Sequence, residues 1–232
     1  MYFGGLQKNS LIDYPGKMSC VLFLAGCNFH CPYCHNPELA RGAVPRANRI
    51  SLDAALEFLE SRRGLLEGVV LSGGEPALEK NLPRICKRIK DLGYPVKLDT
   101  NGSRPDVLAR LFEENCIDYV AMDLKAPLSG YYPDITSKHI QAQLQDSIRL
   151  IMSSGRDYEF RTTCAEPFAG PETIGEIAAT IRGARRYVLQ PFNPLVVLDP
   201  AFCNAYQHQP DRAQIESFRK KIEPLFGECV IR

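Results

Sequence analysis

The chain alternates short apolar runs with stretches whose apolar residues recur at helical spacing. The first run, Cys20-Val-Leu-Phe-Leu-Ala25, is apolar throughout, the pattern of a strand buried on both faces. A helix is predicted over 51–63. Ser51 suits its N-cap, Leu52, Ala55, Leu56 and Leu59 form the stripe, and Gly64 stops it. A second strand, Gly68–Leu71, is followed by a helix carrying Leu82, Ile85, Ile89 and Leu92. Pro83 falls in the first turn of that helix and Gly93 ends it. The third strand, Pro95–Leu98, precedes a helix that opens with Pro105 and uses Val107, Leu108, Leu111 and Phe112. After the fourth, Tyr119–Met122, comes a longer link with Pro127 and Pro133, then a helix with Ile140, Leu144, Ile148 and Ile151. The fifth strand, Tyr158–Thr162, is paired with a helix using Ile174, Ile177, Ala178 and Ile181. Tyr187–Leu189 is the sixth. A last helix at 211–225 carries Ile215, Phe218, Ile222 and Leu225, and Cys229-Val-Ile231 suits a final edge strand.

Six strand–helix units in series require parallel strands and right-handed crossovers. A closed eightfold barrel takes roughly 250 residues, and this chain has 232. A partial, open barrel or a doubly wound sheet fits better. The expected fold is therefore α/β, a partial (β/α)6 TIM-like barrel in a single domain. Its expected parts are an N-terminal segment 1–19, a β/α core 20–190 and a C-terminal helix and extension 191–232. No internal repeat, low-complexity run or dividing linker interrupts it.

In parallel α/β folds the chemistry gathers at the C-terminal strand ends. Here those positions hold Cys27, Cys31 and Cys34 after the first strand, then Ser72-Gly-Gly-Glu-Pro76, Asp99-Thr-Asn-Gly102 and Asp123-Leu-Lys125. Arg161 lies within the fifth strand, and Gln190-Pro-Phe-Asn-Pro194 follows the sixth. Nearly every unusual polar cluster thus falls on one rim.

Composition narrows the partners. The chain is 45% hydrophobic and 24% charged, as a globular protein should be. A net charge of +1 gives no global field toward nucleic acid or an anionic membrane. No apolar run approaches the ~18–20 residues of a membrane span, and Met1–Tyr14 lacks a signal peptide's basic start and apolar stretch. The expected location is the cytoplasm, with no nucleic-acid and no membrane partner.

That compartment is reducing, and nine cysteines is an odd number, so a disulfide framework is not expected. Cys20, Cys86, Cys116 and Cys164 lie in or beside apolar stretches and suit small buried hydrophobes. Cys203 and Cys229 carry no assignment. Cys27-Asn-Phe-His-Cys31-Pro-Tyr-Cys34 puts three thiols on one loop. Iron–sulfur clusters usually take four cysteines, so three leave one iron open to a ligand. Other readings compete. Cys31-Pro-Tyr-Cys34 alone fits a dithiol redox motif, but leaves Cys27 unused. With His35 it fits c-type haem attachment, which goes with export. With His30 or His35 the three thiols could hold structural zinc, although no second cysteine pair lies nearby.

The same motifs in this order resemble the radical S-adenosylmethionine (SAM) superfamily. The Cys27/Cys31/Cys34 spacing with Tyr33 before the last cysteine is its signature, and Gly73-Gly-Glu-Pro76 resembles its methionine-amine motif. Asp13-Tyr-Pro-Gly16, Cys34-His-Asn36, Asp99-Thr-Asn-Gly102 and Asp123-Leu-Lys125 resemble the glycyl-radical-enzyme activases, with Ser10-Leu-Ile-Asp-Tyr-Pro-Gly16 closest to those serving anaerobic ribonucleotide reductases. The chain departs from many activases at Tyr14, where they carry glycine, and at Lys17, where they carry arginine. No cysteine lies between Cys34 and Glu75, so the ferredoxin-like insert of some members is absent.

The resemblance implies an oxidoreductase with a [4Fe–4S] cluster on Cys27, Cys31 and Cys34. Reductive cleavage of SAM would give a 5′-deoxyadenosyl radical that takes a hydrogen from a glycine of a partner glycyl radical enzyme. A flavodoxin or ferredoxin-type protein would supply the electron. Lys125 would meet the methionine carboxylate. Tyr33, Asn36, Gly73, Gly74, Glu75, Thr100, Asn101, Arg161 and Gln190 would surround SAM. Asp99, Thr100 and Asp123 would surround a monovalent cation, and Asp13 would reach the partner's glycine loop. Each role has a plainer counterpart: Tyr33 as packing, the glycines as a turn, Glu75 as a helix cap, Lys125 as a surface lysine. Arg161, inside an apolar strand, needs an anion, either a protein carboxylate or SAM. His30 and His35 suit packing or hydrogen bonding beside the cluster, and His139 and His208 the surface. A small-molecule radical SAM enzyme and a non-catalytic metal or thiol protein are the alternatives.

Overall fold

The computed structural model describes residues Met1–Arg232. Along the chain run β1 (Tyr2–Phe3), β2 (Gly5–Ser10), β3 (Ser19–Leu24), α1 (Pro37–Ala40), β4 (Ile50–Ser51), α2 (Leu52–Ser61), β5 (Gly68–Gly73), α3 (Leu82–Asp91) and β6 (Val96–Thr100). There follow α4 (Pro105–Glu113), β7 (Tyr119–Asp123), α5 (Gln141–Ser153), β8 (Asp157–Cys164), α6 (Ile174–Thr180), β9 (Arg186–Pro191), α7 (Pro200–Ala205), α8 (Arg212–Ile222) and β10 (Glu228–Ile231). The six predicted strands are β3 and β5–β9, and the predicted edge strand is β10.

The chain forms two compact units. One holds Met1–Asn28, Glu38–Thr100 and Arg104–Val120; the other holds Phe29–Pro37, Asn101–Ser103 and Ala121–Arg232. Strand β7 contributes residues to both.

In the first unit the strand order is β6-β5-β3-β2. β3, β5 and β6 are parallel, with Val21 opposite Val70 and Val70 opposite Lys97. β2 runs antiparallel to β3, from Gly5 opposite Phe23 to Ser10 opposite Ser19. Helix α2 starts where Ser51 accepts a hydrogen bond from the Ala54 amide, and it buries Ala55, Leu56 and Leu59. Proline in its first turn suits α3, which buries Leu82, Ile85 and Ile89. Tyr14 is buried with Val21, Val70 and Tyr119. Gly68 makes room for it: a Cβ there would stand 2.9 Å from the Tyr14 ring.

In the second unit β8, β9 and β10 follow one another in parallel register. α5 buries Leu144, Ile148 and Ile151, and its buried Ser147 hydroxyl donates to the Gly102 carbonyl. A reciprocal cap between Asp211 and Gln214 opens α8, which buries Ile215, Phe218 and Ile222. Near the start of β8 the fully buried Glu159 takes Arg232 at 3.2 Å and Arg186 at 3.6 Å. No helix is long and apolar enough to cross a membrane.

Candidate functional site

Each unit brings part of the predicted rim together. In the first, β3 runs into Cys27. The loop base is tied by the Gly26 amide to the Leu39 carbonyl and by the Cys27 amide to that of Ala40. Gly73 and Gly74 follow β5, and their missing side chains serve this same loop. A Cβ on Gly73, at φ +120°, would stand 2.2 Å from the Leu24 carbonyl oxygen, and one on Gly74 would stand 2.1 Å from that of Gly26. The glycines are therefore required by the chain's own close approach, whatever ligand lies near. Glu75 caps the following turn: its Oε1 accepts from the Ala77 amide at 2.9 Å and from the Thr100 hydroxyl at 2.7 Å.

At the end of β6, Asp99 pairs with Lys97, and its second carboxylate oxygen accepts from Ser72 at 3.2 Å. Asp13 accepts from Ser10 at 2.5 Å, in the turn that follows β2. Because Ser10 faces Ser19, that turn lies at the start of β3, the opposite end of the strand from Cys27.

In the second unit a turn closes from the Cys34 amide to the Cys31 carbonyl. Tyr33 between them is buried, packed on Phe168, Phe192 and Phe202, and its hydroxyl donates to the Lys125 carbonyl at 3.0 Å. The Lys125 amide donates to the Tyr131 hydroxyl at 2.7 Å, so two tyrosines clamp this strand end. Asp123 receives Arg161 at 2.7 Å and Lys125 at 3.1 Å. Arg161 thus finds its anion in a protein carboxylate. Burial alone would raise the Asp123 pKa, but Arg161 and then Lys125 outweigh it and hold the carboxyl well below its usual range. Burial likewise opposes the Lys125 charge, and the neighbouring Asp123 carboxylate outweighs it, so the ammonium pKa stays above its usual range.

Asn101 is buried, its side-chain oxygen accepting from the Ser103 amide. Gln190 is half-buried on β9 opposite Thr163, and Asn36 is exposed. His30 contacts the Pro133 carbonyl at 3.0 Å and His35 that of Asn193 at 2.9 Å, with His35 stacked on Phe192. Both are held by backbone.

None of the nine cysteines is in a disulfide. Burial pushes the thiols of Cys20 and Cys164 up to about 12 and that of Cys229 up to about 11, as for small hydrophobes. Cys203 is half-buried on α7. No three His, Cys, Asp or Glu side chains converge on a single-ion site. The donor set of the loop, three thiols in eight residues, matches an iron–sulfur cluster, in which different cysteines hold different irons.

Lys97, Ser72 and Tyr131 also shape these strand ends and were not among the predicted site residues. Lys97 had a signal, a cation inside the otherwise apolar Pro95–Leu98 run, the same signal that singled out Arg161. Tyr131 lies in a long link with no periodicity to place it.

The radical SAM superfamily model matches residues 21–184. A Methanocaldococcus jannaschii protein named as a glycyl-radical enzyme activating enzyme is 34% identical over 233 residues, 98% of this chain and 94% of that one. The 7-carboxy-7-deazaguanine synthase of Methanospirillum hungatei is 27% identical over 180 residues, 73% of this chain and 70% of that one. Among solved structures, Streptococcus suis SuiB bound to precursor peptide SuiA matches with a TM-score of 0.67 at 11% identity, over 90% of this chain and 47% of that one. That likeness is one of fold, and it agrees with the predicted α/β, TIM-like partial barrel. With the family model spanning most of the chain and a relative aligned along nearly all of it, this protein belongs to the radical SAM superfamily.

Proposed function

We propose that this protein activates a glycyl radical enzyme. The observation that carries the reading is its relatedness, along 98% of its length, to a protein named for that activity. Cys27, Cys31 and Cys34 would hold the [4Fe–4S] cluster. When bound, the reduced cluster would supply one electron to split SAM into methionine and a 5′-deoxyadenosyl radical able to abstract a hydrogen atom from a glycine of the partner. The chain's own residues bind and orient. Lys125 stays protonated beside Asp123 and offers an ammonium to the SAM carboxylate. Arg161 continues to balance Asp123 while Lys125 does so. Tyr33 and Tyr131 fix the Lys125 backbone, so its side chain starts from a set position. Asn36, Asn101 and Gln190 add polar groups on the same unit, and Gly73, Gly74 and Glu75 shape the other. The packed rings of Phe168, Phe192 and Phe202 bury Tyr33 between Cys31 and Cys34. A flavodoxin or ferredoxin-type donor would deliver the electron, in the cytoplasm.

The test is anaerobic. The reconstituted, reduced protein is incubated with SAM and a candidate glycyl radical enzyme, and both 5′-deoxyadenosine and the glycyl radical's paramagnetic resonance doublet are measured. Both should form with wild type and vanish with Cys31→Ala, which should also lose iron. The relatedness to 7-carboxy-7-deazaguanine synthase favours a second reading, a small-molecule substrate. SAM cleavage that no glycyl radical enzyme accelerates, with no doublet, would favour that alternative.

A further inference from the structure

Lys97 is a charge with no access to solvent. Its side chain is 0% exposed, near the start of β6 between the buried Val96 and Leu98. An isolated buried ammonium is costly, so such a group needs a partner and persists where it has a task. Its partner is Asp99, two residues on and therefore on the same face of the strand. The ammonium also lies 5.7 Å from the centre of the Tyr119 ring, within range of a cation–π attraction. The other Asp99 oxygen accepts from Ser72, and Thr100 beside it donates to Glu75.

These contacts bear on the monovalent cation that the activase resemblance implies for Asp99, Thr100 and Asp123. A metal ion is attracted to carboxylate charge that nothing else balances. In the first unit the Asp99 charge is met by Lys97, and the Thr100 hydroxyl is engaged with a carboxylate. In the second unit Asp123 is met by Arg161 and Lys125. The donors present do not fit a further cation.

We propose that the Lys97 ammonium is this protein's built-in monovalent cation. It acts as a positioning residue, balancing the Asp99 charge and fixing the carboxylate at the end of β6, so that SAM binds without Na⁺ or K⁺. The proposal rests on SAM binding, which family membership supplies, and not on the identity of the hydrogen donor. Absence of a glycyl radical would therefore leave it untouched.

The experiment measures the dissociation constant of SAM by anaerobic equilibrium dialysis with cluster-reconstituted protein. The only monovalent cation is first tetramethylammonium, then K⁺ or Na⁺ at matched ionic strength. Wild-type affinity should be the same in all three. Lys97→Met should bind roughly tenfold more weakly in tetramethylammonium, within the usual range of couplings between sites, and should recover in K⁺ or Na⁺. Recovery by a small cation is a response that a merely structural lysine would not produce. Three results would overturn the proposal: wild-type affinity that rises roughly tenfold with K⁺ or Na⁺, a variant that matches wild type in tetramethylammonium, or a loss that no cation restores. If Lys97→Met does not fold, the wild-type cation series decides alone.

Discussion

Asp99 and Asp123 each stand near the end of a strand, one in each unit, and they are neutralised differently. Asp99 is 10% exposed and is held by a lysine from which solvent is wholly excluded. Asp123 is 28% exposed and shares its charge between Arg161, at 9%, and Lys125, at 21%. Nothing from solution can compete for Lys97. Lys125 has an open side and a second cation behind it, so it can turn to an anionic ligand without stranding the carboxylate. One kind of contact thus yields a sealed strut in one unit and a partly open ion pair in the other.

The largest effect should come from breaking the strut. Lys97→Met leaves Asp99 buried beside an apolar chain and should cost about 3–5 kcal/mol in urea unfolding, the usual penalty for removing one partner of a buried pair. A loss much smaller than this would mean the pair is not the strut described. Asp123→Asn should cost less, about 1.5 kcal/mol, because Lys125 reaches solvent and the amide keeps a hydrogen bond to Arg161.

The same contrast has a pH signature. The folded pKa of Asp123 lies below its unfolded value, so its contribution is fully present above the ordinary carboxylate pKa of about 4 and is lost as pH falls toward the folded value. Stability measured from pH 6 down to pH 2 should therefore fall less steeply in Asp123→Asn than in wild type. Parallel curves would remove Asp123 from the acid response. The smallest change is Tyr33→Phe, which deletes one hydroxyl donated to the Lys125 carbonyl. It should cost about 1 kcal/mol and weaken SAM binding slightly, with iron content unchanged.

Much of the fold was legible because its strands and helices follow apolar periodicity. The α2 stripe, the capped start at Ser51 and the proline-led α3 and α4 all form where the pattern puts them. β2 was not visible. Gly5-Leu-Gln-Lys-Asn-Ser10 has exposed polar residues and becomes a strand through pairing with β3. The four-residue α1 and six-residue α7 are too short for a helical stripe to show. At the strand ends, residue types were legible and their partners were not. Glu75 was expected at a ligand or as a cap, and it caps a turn and accepts from Thr100. Gly73 and Gly74 were expected to admit a ligand or form a turn, and their close approach to the backbone of Leu24 and Gly26 was not legible.

The sequence by itself determined the order of strands and helices, the cysteine spacing and the strand ends on which polar groups fall. Those features depend on local periodicity and on motifs short enough to be contiguous. Only the tertiary structure decided that Lys97 meets Asp99, that Arg161 and Lys125 share Asp123, and that Asp13 stands away from Cys27. A charge buried in a strand requires a counter-charge, but which carboxylate supplies it depends on strand direction, register and side-chain reach, and these are settled when the chain packs.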